Sequence, residues 1–292
     1  MITNRLGLPA AIVSAVVNDP YTKGDSDISV TQLIAPPYQR QLRMSGVAAT
    51  EDVLDRIWSL IGQVGHAIVE RAYPQAYTDE AKNLSAAEAY ERFGVVAEKR
   101  LYMPMNGWTV SGQFDVIENG CLQDYKFTST WSVVGDIKPE WIAQLNLLRL
   151  LSIHNGIKVD SLRIIAILRD WSKGKAKSAG YPRHQVAVVE IPIWSIEQTE
   201  AYMLERVKAH QSDAPPPCSD DERWKRPDVF AVMKAGRKSA IKLHVSEIEA
   251  VGHCGELGSG HSIAKRPGGF LRCQEYCDVS ISCPQMVTEA GF

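Results

Sequence analysis

The chain has 292 residues, enough for one large α/β domain with a smaller appendage. Hydrophobic residues make up 45% and charged residues 23%, which excludes wholesale disorder, a collagen-like repeat and a multispan membrane protein. With 32 basic against 34 acidic residues the net charge is −2, so no global positive field draws in a polyanion. Such a partner has to be held by a local patch or through metal ions.

Residues 1–50 read as an N-terminal arm with helical character. The apolar run Leu6 to Val17 follows a single Arg5, contains Pro9 and ends in Asn18-Asp19-Pro20. It lacks a small-x-small cleavage pattern, and no stretch reaches the roughly 20 apolar residues that span a bilayer. A cytoplasmic protein without a membrane partner is expected, in a bacterial or phage-infected cell. Residues 51–212 read as the core. Glu51 to Tyr73 predicts a helix with Val53, Ile57, Leu60, Ile61, Val64 and Ile68 on one face, and Trp58, Gly62, His66 and Glu70 stacked along a flank. Tyr90 to Met103 predicts helix running into strand, and Trp108 to Ile117 and Cys121 to Phe127 predict two strands. Pro139 to His154 predicts a second strong helix, turning Trp141, Leu145, Leu148 and Leu151 inward. Strands over 160–168 and 184–192 and a helix over 195–210 complete an α/β fold, a mixed central sheet flanked by helices. The break Ser212-Asp213-Ala214-Pro215-Pro216-Pro217 then opens a Cys-rich region, 213–292.

Asn119-Gly120 between strand-like runs is a strong signal for a two-residue type I′ turn. That turn pairs Glu118 with Cys121, sets Asp115 across from Asp124 and Gln113 across from Lys126, and turns Asp124 and Lys126 to one face. Two opposed carboxylates repel unless a cation lies between them. Oxygen ligands of this kind suit Mg²⁺ or Mn²⁺, and the neighbouring lysine suits a phosphate oxygen or an attacking water.

Gly112-x-x-Asp115 followed by Asp124-Tyr125-Lys126 resembles the active-site signature of the PD-(D/E)xK nucleases, whose core is the restriction-endonuclease-like fold. Gly62-x-x-x-His66 upstream and Gln144 downstream resemble the RecB-like exonuclease branch, in the same order over about residues 50 to 155. The resemblance implies metal ligation by His66, Asp115, Asp124 and the Tyr125 backbone carbonyl, with Glu70 or Glu98 as a further ligand. It implies Lys126 as the catalytic lysine and Gln144 as the residue that positions it or the DNA. Where the family often has a tyrosine four residues after that glutamine, this chain has Leu148.

Cys218 and Cys273-x-x-x-Cys277-x-x-x-x-x-Cys283 offer four thiols, the number that completes a zinc or iron–sulfur site. The plan resembles the CRISPR-associated and AddB-type nucleases, which implies a [4Fe-4S] cluster, with Zn²⁺ as the alternative. The remote cysteine here follows the core instead of preceding it, and the first close spacing is three residues rather than two. His253 and Cys254 are substitute ligands should Cys218 not serve, and Cys121 reads as packed. Two basic runs suit DNA phosphates: Lys173, Lys175, Lys177 and Arg183 with Trp171 interleaved, and Arg223-Trp224-Lys225-Arg226 with Lys234 to Lys242.

The expectation is a metal-dependent deoxyribonuclease, an exonuclease acting on duplex ends or single strands, with recombination or replication proteins as partners and oligomeric state open. Two rivals are a catalytically silent DNA-binding or recombination accessory protein and a redox regulator built on the cysteines.

Overall fold

Asn119 and Gly120 both adopt left-handed backbone, with φ of 49° and 71°, the two positive values a type I′ turn requires. Glu118 consequently faces Cys121, and the hairpin continues through Ile117–Leu122 and Val116–Gln123. Beyond that pair the ladder stops. Phe114 and Asp115 form a bend, so the run 108–117 is two strands in two different sheets rather than one. Gln113 therefore lies across from Arg100, not Lys126.

The computed structural model describes residues 2–18, 22–46, 51–73 and 78–289, the side chains of 66–70 and 288–289 excepted. The chain divides into two units, one of residues 1–37 with 50–213 and the other of 38–49 with 214–292. Residues 1–50 are thus no separate arm but are shared between the two.

In chain order the elements begin with β1 (Ile2–Thr3), α1 (Ala10–Val17), β2 (Ile28–Ser29), α2 (Val30–Ile34) and α3 (Pro37–Met44). They continue with β3 (Glu51–Asp52), α4 (Ile57–Ala72), α5 (Asp79–Asn83), α6 (Ala86–Phe93), β4 (Val95–Ala97), β5 (Arg100–Met105) and β6 (Trp108–Gln113). The hairpin strands β7 (Val116–Glu118) and β8 (Cys121–Thr128) follow, then α7 (Pro139–His154), β9 (Ser161–Leu168), β10 (Val186–Glu190) and α8 (Ile196–Gln211). The second unit adds β11 (Val229–Lys234), β12 (Lys242–His244), α9 (Glu247–Leu257), β13 (His261–Arg266), α10 (Leu271–Glu275) and α11 (Pro284–Glu289).

The first unit is mixed α/β. Its central sheet has the order β10-β9-β8-β7-β4, parallel only between β8 and β9, and a second sheet has the order β2-β6-β5. The crossover from β8 to β9 is α7, which Pro139 starts at a position where no backbone N–H is needed. On β9 the burial alternates, with Leu162, Ile164, Ala166 and Leu168 inward. These side chains share one core with Leu145, Leu147, Leu148, Leu150 and Leu151 of α7 and with Leu122 of β8. A Cβ on Gly112 would press into Leu148, Val30 and Leu151, so the small residue lets β6 approach α7 closely. Leu148 is thereby committed to the core.

The opposite face of β8 meets α4. Gly65 lies directly on the Phe127 ring, leaving no room for a Cβ, while Tyr125 joins Val95, Ala97, Val116 and Tyr73 in a smaller cluster. The predicted helix over 51–73 begins late, at Ile57 after a strand and a 3₁₀ turn, and its Val64 is exposed. Asp52 controls that start. Its enclosed carboxylate receives the Thr3 hydroxyl at 2.7 Å and the Arg5 amide at 2.9 Å on one oxygen and the Leu54 amide at 3.1 Å on the other. Among the described residues no helix is long and apolar enough to cross a membrane.

In the second unit β11 pairs antiparallel with both β12 and β13. Arg43 and Gln39 of α3 bind Asp278, at 2.7 and 2.8 Å from the guanidinium and 2.9 Å from the amide, which places 38–49 with the C-terminal region.

Two predictions follow from these packing contacts. Gly65→Ala should lower stability by about 1–3 kcal/mol, the usual cost of forcing atoms into a filled interface, as read by urea denaturation. Asp52 is held well below the ordinary carboxylate range, at about 2, by the Thr3 hydroxyl, the Arg5 amide and the Leu54 amide against an opposing burial effect. The unfolded chain therefore takes up this proton first, and stability should fall as pH drops from about 4 to 2. Asp52→Asn should flatten thermal-melting midpoints across that window, relative to wild type.

Candidate active site

Three adjacent residues of β8 and the bend before β7 set the geometry. Asp115 and Asp124 are both buried, at 5% and 3% exposure, which is unusual for carboxylates without a strong compensating partner. Asp115 accepts the Tyr125 backbone N–H on Oδ2 at 2.6 Å. That bond replaces the ladder pairing lost at the bend and ties the two strands where the acids sit.

Asp124 lies on the α7 face, since Leu122, Asp124 and Lys126 alternate with the α4-facing residues. Lys126 Nζ donates to Asp124 Oδ1 at 3.0 Å and stands 2.8 Å from Oδ2. Gln144, one and a half turns into α7, donates its amide to the same Oδ1 at 3.2 Å. Oδ2 is fully enclosed and, among the described residues, accepts no hydrogen bond, the Lys126 ammonium facing it as a charge. Burial pushes Lys126 toward neutrality, but the Asp124 and Asp115 carboxylates and the hydrogen bond to Asp124 outweigh it and hold the amine above the ordinary lysine value. Lys126 is thus charged. The Tyr125 phenol is pushed up by burial, then by Asp115, Glu118 and Cys121, and stays protonated.

Glu98 joins this group. Its N–H donates to the Asp115 carbonyl at 2.9 Å, and it adopts left-handed backbone (φ 51°) where β4 breaks off before β5. Its carboxylate accepts the Gln113 amide at 2.6 Å, and Arg100 holds Gln113 in turn at 3.0 Å. The helix-into-strand reading of Tyr90 to Met103 did not show this break, because a left-handed glutamate leaves no periodicity signal. His66 and Glu70 lie on α4, the helix that covers the Tyr125 and Phe127 face of β8, and their side chains lie outside the described residues.

The four cysteines named from their spacing lie within electrostatic reach of one another. Burial, then Glu222, Cys273, Cys283 and Cys277, push the Cys218 thiol up to about 12. Burial likewise raises Cys277, with Asp278, Cys273 and Cys283 adding to it. Cys283 is buried with Leu42 and Val279, against Tyr38, Cys277 and Met286. Gln285 clamps the Cys218 backbone by accepting its N–H at 3.1 Å and donating to its carbonyl at 2.8 Å. None of the six cysteines is in a disulfide. His253 instead contacts His244, ring nitrogens 2.9 Å apart, and Cys121 is packed in the hairpin. Among the described residues no three His, Cys, Asp or Glu side chains converge as tightly as a single ion requires.

The basic runs divide. Lys173, Lys175, Lys177 and Arg183 are exposed on the β9–β10 loop, but Trp171 packs on the core and donates its indole N–H to the Pro182 carbonyl at 2.9 Å. It shapes the loop and is not displayed. In the second run Arg223, at 3% exposure, stacks on Phe270 and Arg272 lies over Trp224, while Lys225, Arg226, Lys234, Arg237, Lys238 and Lys242 are exposed.

Removing the Lys126 charge should strand Asp124 in a half-dry site. Lys126→Met should cost about 2 kcal/mol, less than for a wholly buried pair because the lysine is partly exposed. Adding Asp124→Asn should recover most of that loss, as read by metal-free urea denaturation.

No family model matches the chain, and no curated protein matches it. Among solved structures, the protein designated SSO0001 is similar at 13% identity and a TM-score of 0.46, over 73% of this chain and 89% of that one. A protein of Eubacterium rectale named "putative exonuclease" is similar at 10% identity and a TM-score of 0.35, over 66% and 84%. Likenesses this distant leave the chemistry of the chain to be argued from its own residues.

Proposed function

We propose that the chain is a divalent-metal-dependent DNA nuclease of the PD-(D/E)xK type, acting on duplex ends or single strands in the cytoplasm. One observation carries this reading: Asp115, Asp124, Lys126 and Gln144 are gathered by the bend between two strands, with Asp124 Oδ2 buried and, among the described residues, accepting no hydrogen bond. A buried carboxylate oxygen faced by a single ammonium keeps lone pairs for a hard cation, and the Asp115 and Asp124 carboxylates are oxygen donors of the kind Mg²⁺ or Mn²⁺ takes. His66, Glu70 and the Tyr125 carbonyl are further ligands in this proposal. When bound, the ion lowers the pKa of water and offsets charge on the phosphoryl oxygens.

The chain's own residues supply the remainder. Lys126, kept charged by its acidic neighbours, offsets negative charge building on the scissile phosphate. Gln144 fixes the Asp124 carboxylate, and the Tyr125 amide fixes that of Asp115, so neither acid needs reorienting as charge develops. The Gly112–Leu148 contact sets the approach of β6 to α7, and Gly65 on Phe127 sets that of α4 to β8.

For the second unit we infer a [4Fe-4S] cluster held by Cys218, Cys273, Cys277 and Cys283, with Zn²⁺ as the alternative. Thiols that raise one another's pKa stay protonated alone, and a metal centre is what would let them ionise together. Its role is structural, linking the two ends of the unit's sequence.

End-labelled linear DNA incubated with Mg²⁺ or Mn²⁺ should be degraded, and EDTA should stop it. Asp124→Asn and Lys126→Gln should each reduce the rate by about 10²-fold or more while leaving DNA binding in EDTA within a few-fold. Binding without metal-dependent product from wild type would establish the silent accessory protein instead. Brown protein with broad visible absorbance and iron, lost in Cys277→Ala, is expected; colourless protein with bound zinc selects the alternative.

A further inference from the structure

The carboxyl end of β8 carries polar and aromatic groups that the proposed hydrolysis does not use. Thr128 follows Lys126 on the same face of the strand, about 7 Å further along. Its hydroxyl donates to the Ser132 hydroxyl at 2.7 Å, and Lys138 Nζ donates to that same Ser132 oxygen at 2.9 Å. Ser132 lies in the 3₁₀ turn Thr130–Val133, which Asp170 fastens by accepting the Thr130 N–H at 2.6 Å. Beside Ser132 stands Trp131, 79% exposed, a large apolar surface for which folding gives no reason.

Cations concentrate at this end. Arg169 follows β9, donates its N–H to the Thr128 carbonyl at 2.9 Å and lays its guanidinium 3.9 Å over the exposed Trp58 ring. Lys138 lies over Trp141 at 5.1 Å. Burial, together with the nearby Arg169 charge, pulls the Lys138 amine below its ordinary value, with Glu140 opposing. The Asp170 carboxylate is taken up by Thr130. Two cations held near one another over hydroxyls, with the Asp170 carboxylate turned to Thr130, favour an anion beside Lys138. The carboxyl ends of adjacent parallel strands, here β8 and β9, are also where open α/β sheets receive ligands.

We propose that Thr128, Ser132, Lys138 and Trp131 form a nucleotide subsite next to the scissile position, with Lys138 and the Ser132 hydroxyl on the backbone phosphate and Trp131 against the base. The occupant is a single strand, since a base stacks on an exposed indole only when it is free of a complementary partner. The spacing from Lys126 is one that a nucleotide of an extended strand can bridge. This inference rests on the nuclease reading and assigns that site its strand-holding residues. It also moves the aromatic contact away from Trp171, whose indole is occupied within its own loop.

The test is fluorescence anisotropy of a 5′-labelled single-stranded 20-mer with the full chain in EDTA, over a series of salt concentrations. Trp131→Ala should weaken binding about tenfold with the salt slope unchanged, as expected for a lost stacking contact. Lys138→Ala should weaken binding and reduce the log–log salt slope by about 0.7, one phosphate contact on a single strand. Lys138→Arg should restore the slope. Trp131→Ala should melt with the wild-type midpoint, because that side chain is exposed, and Lys138→Arg should keep the Ser132 and Trp141 contacts should Lys138→Ala lower it. If wild type degrades the oligonucleotide with Mn²⁺ but both Ala variants bind it as wild type does, the subsite is overturned and the nuclease reading stands. If wild type neither binds nor cuts it, both fall.

Discussion

A carboxylate buried inside a sheet is the constraint on which this molecule is built. Asp124 is enclosed between the central sheet and α7, where an isolated ionised group would be too costly to keep. It persists because Lys126 brings an ammonium to both oxygens and Gln144 adds an amide to one. Neither partner is free to be elsewhere: Lys126 is two residues along the same strand, and Gln144 is fixed by a helix whose leucines fill the core. The hydrophobic packing of α7 thus sets the electrostatics of the site, and the polar cluster in turn specifies where α7 must lie.

The bend at Phe114-Asp115 is the second element of this design. Had β6 continued into β7, Asp115 would have spent its position as an ordinary cross-strand neighbour of Asp124. The break passes the chain from one sheet to another and frees the Asp115 carboxylate to accept the Tyr125 amide. It also brings Glu98 to the Asp115 backbone from β4. Asp115 and the backbone of Glu98 therefore meet beside β8 where the ladder is interrupted, as functional groups often do at irregularities in a sheet.

Much of this was legible in the residue order. Asn119-Gly120 fixed the hairpin register because only a few dipeptides accept two left-handed positions, and Pro139 to His154 announced α7 through its start signal and apolar spacing. The register set Asp115 directly across from Asp124, but the ladder ends at Val116–Gln123 and Asp115 instead accepts the Tyr125 amide. What the pattern could not carry was the interruption: Trp108 to Ile117 keeps its alternation straight through a bend, so one strand was expected where two exist. Burial of Arg223 and Trp171 was equally invisible, since a basic or aromatic residue in a loop reads alike whether it stacks internally or faces water. The converse holds for Trp131, whose exposure depends on a short 3₁₀ turn with no periodicity. That the four cysteines belong to one unit followed from their positions after the proline-rich break, yet the part of α3 in holding Asp278 left no signal, because 235 residues separate Arg43 from its partner.

That last pairing bears on how the polypeptide is made. Synthesis delivers residues 38–49 early, but the aspartate that Arg43 and Gln39 grip emerges only near the carboxyl terminus. The first unit can gather its sheet and helices once residue 213 has left the ribosome, whereas this inserted stretch must wait with its cationic side chains unsatisfied. A premature stop after the proline-rich break would accordingly yield a chain with one nearly complete body and an orphaned helix, a product suited to recognition by quality-control proteases rather than to partial service.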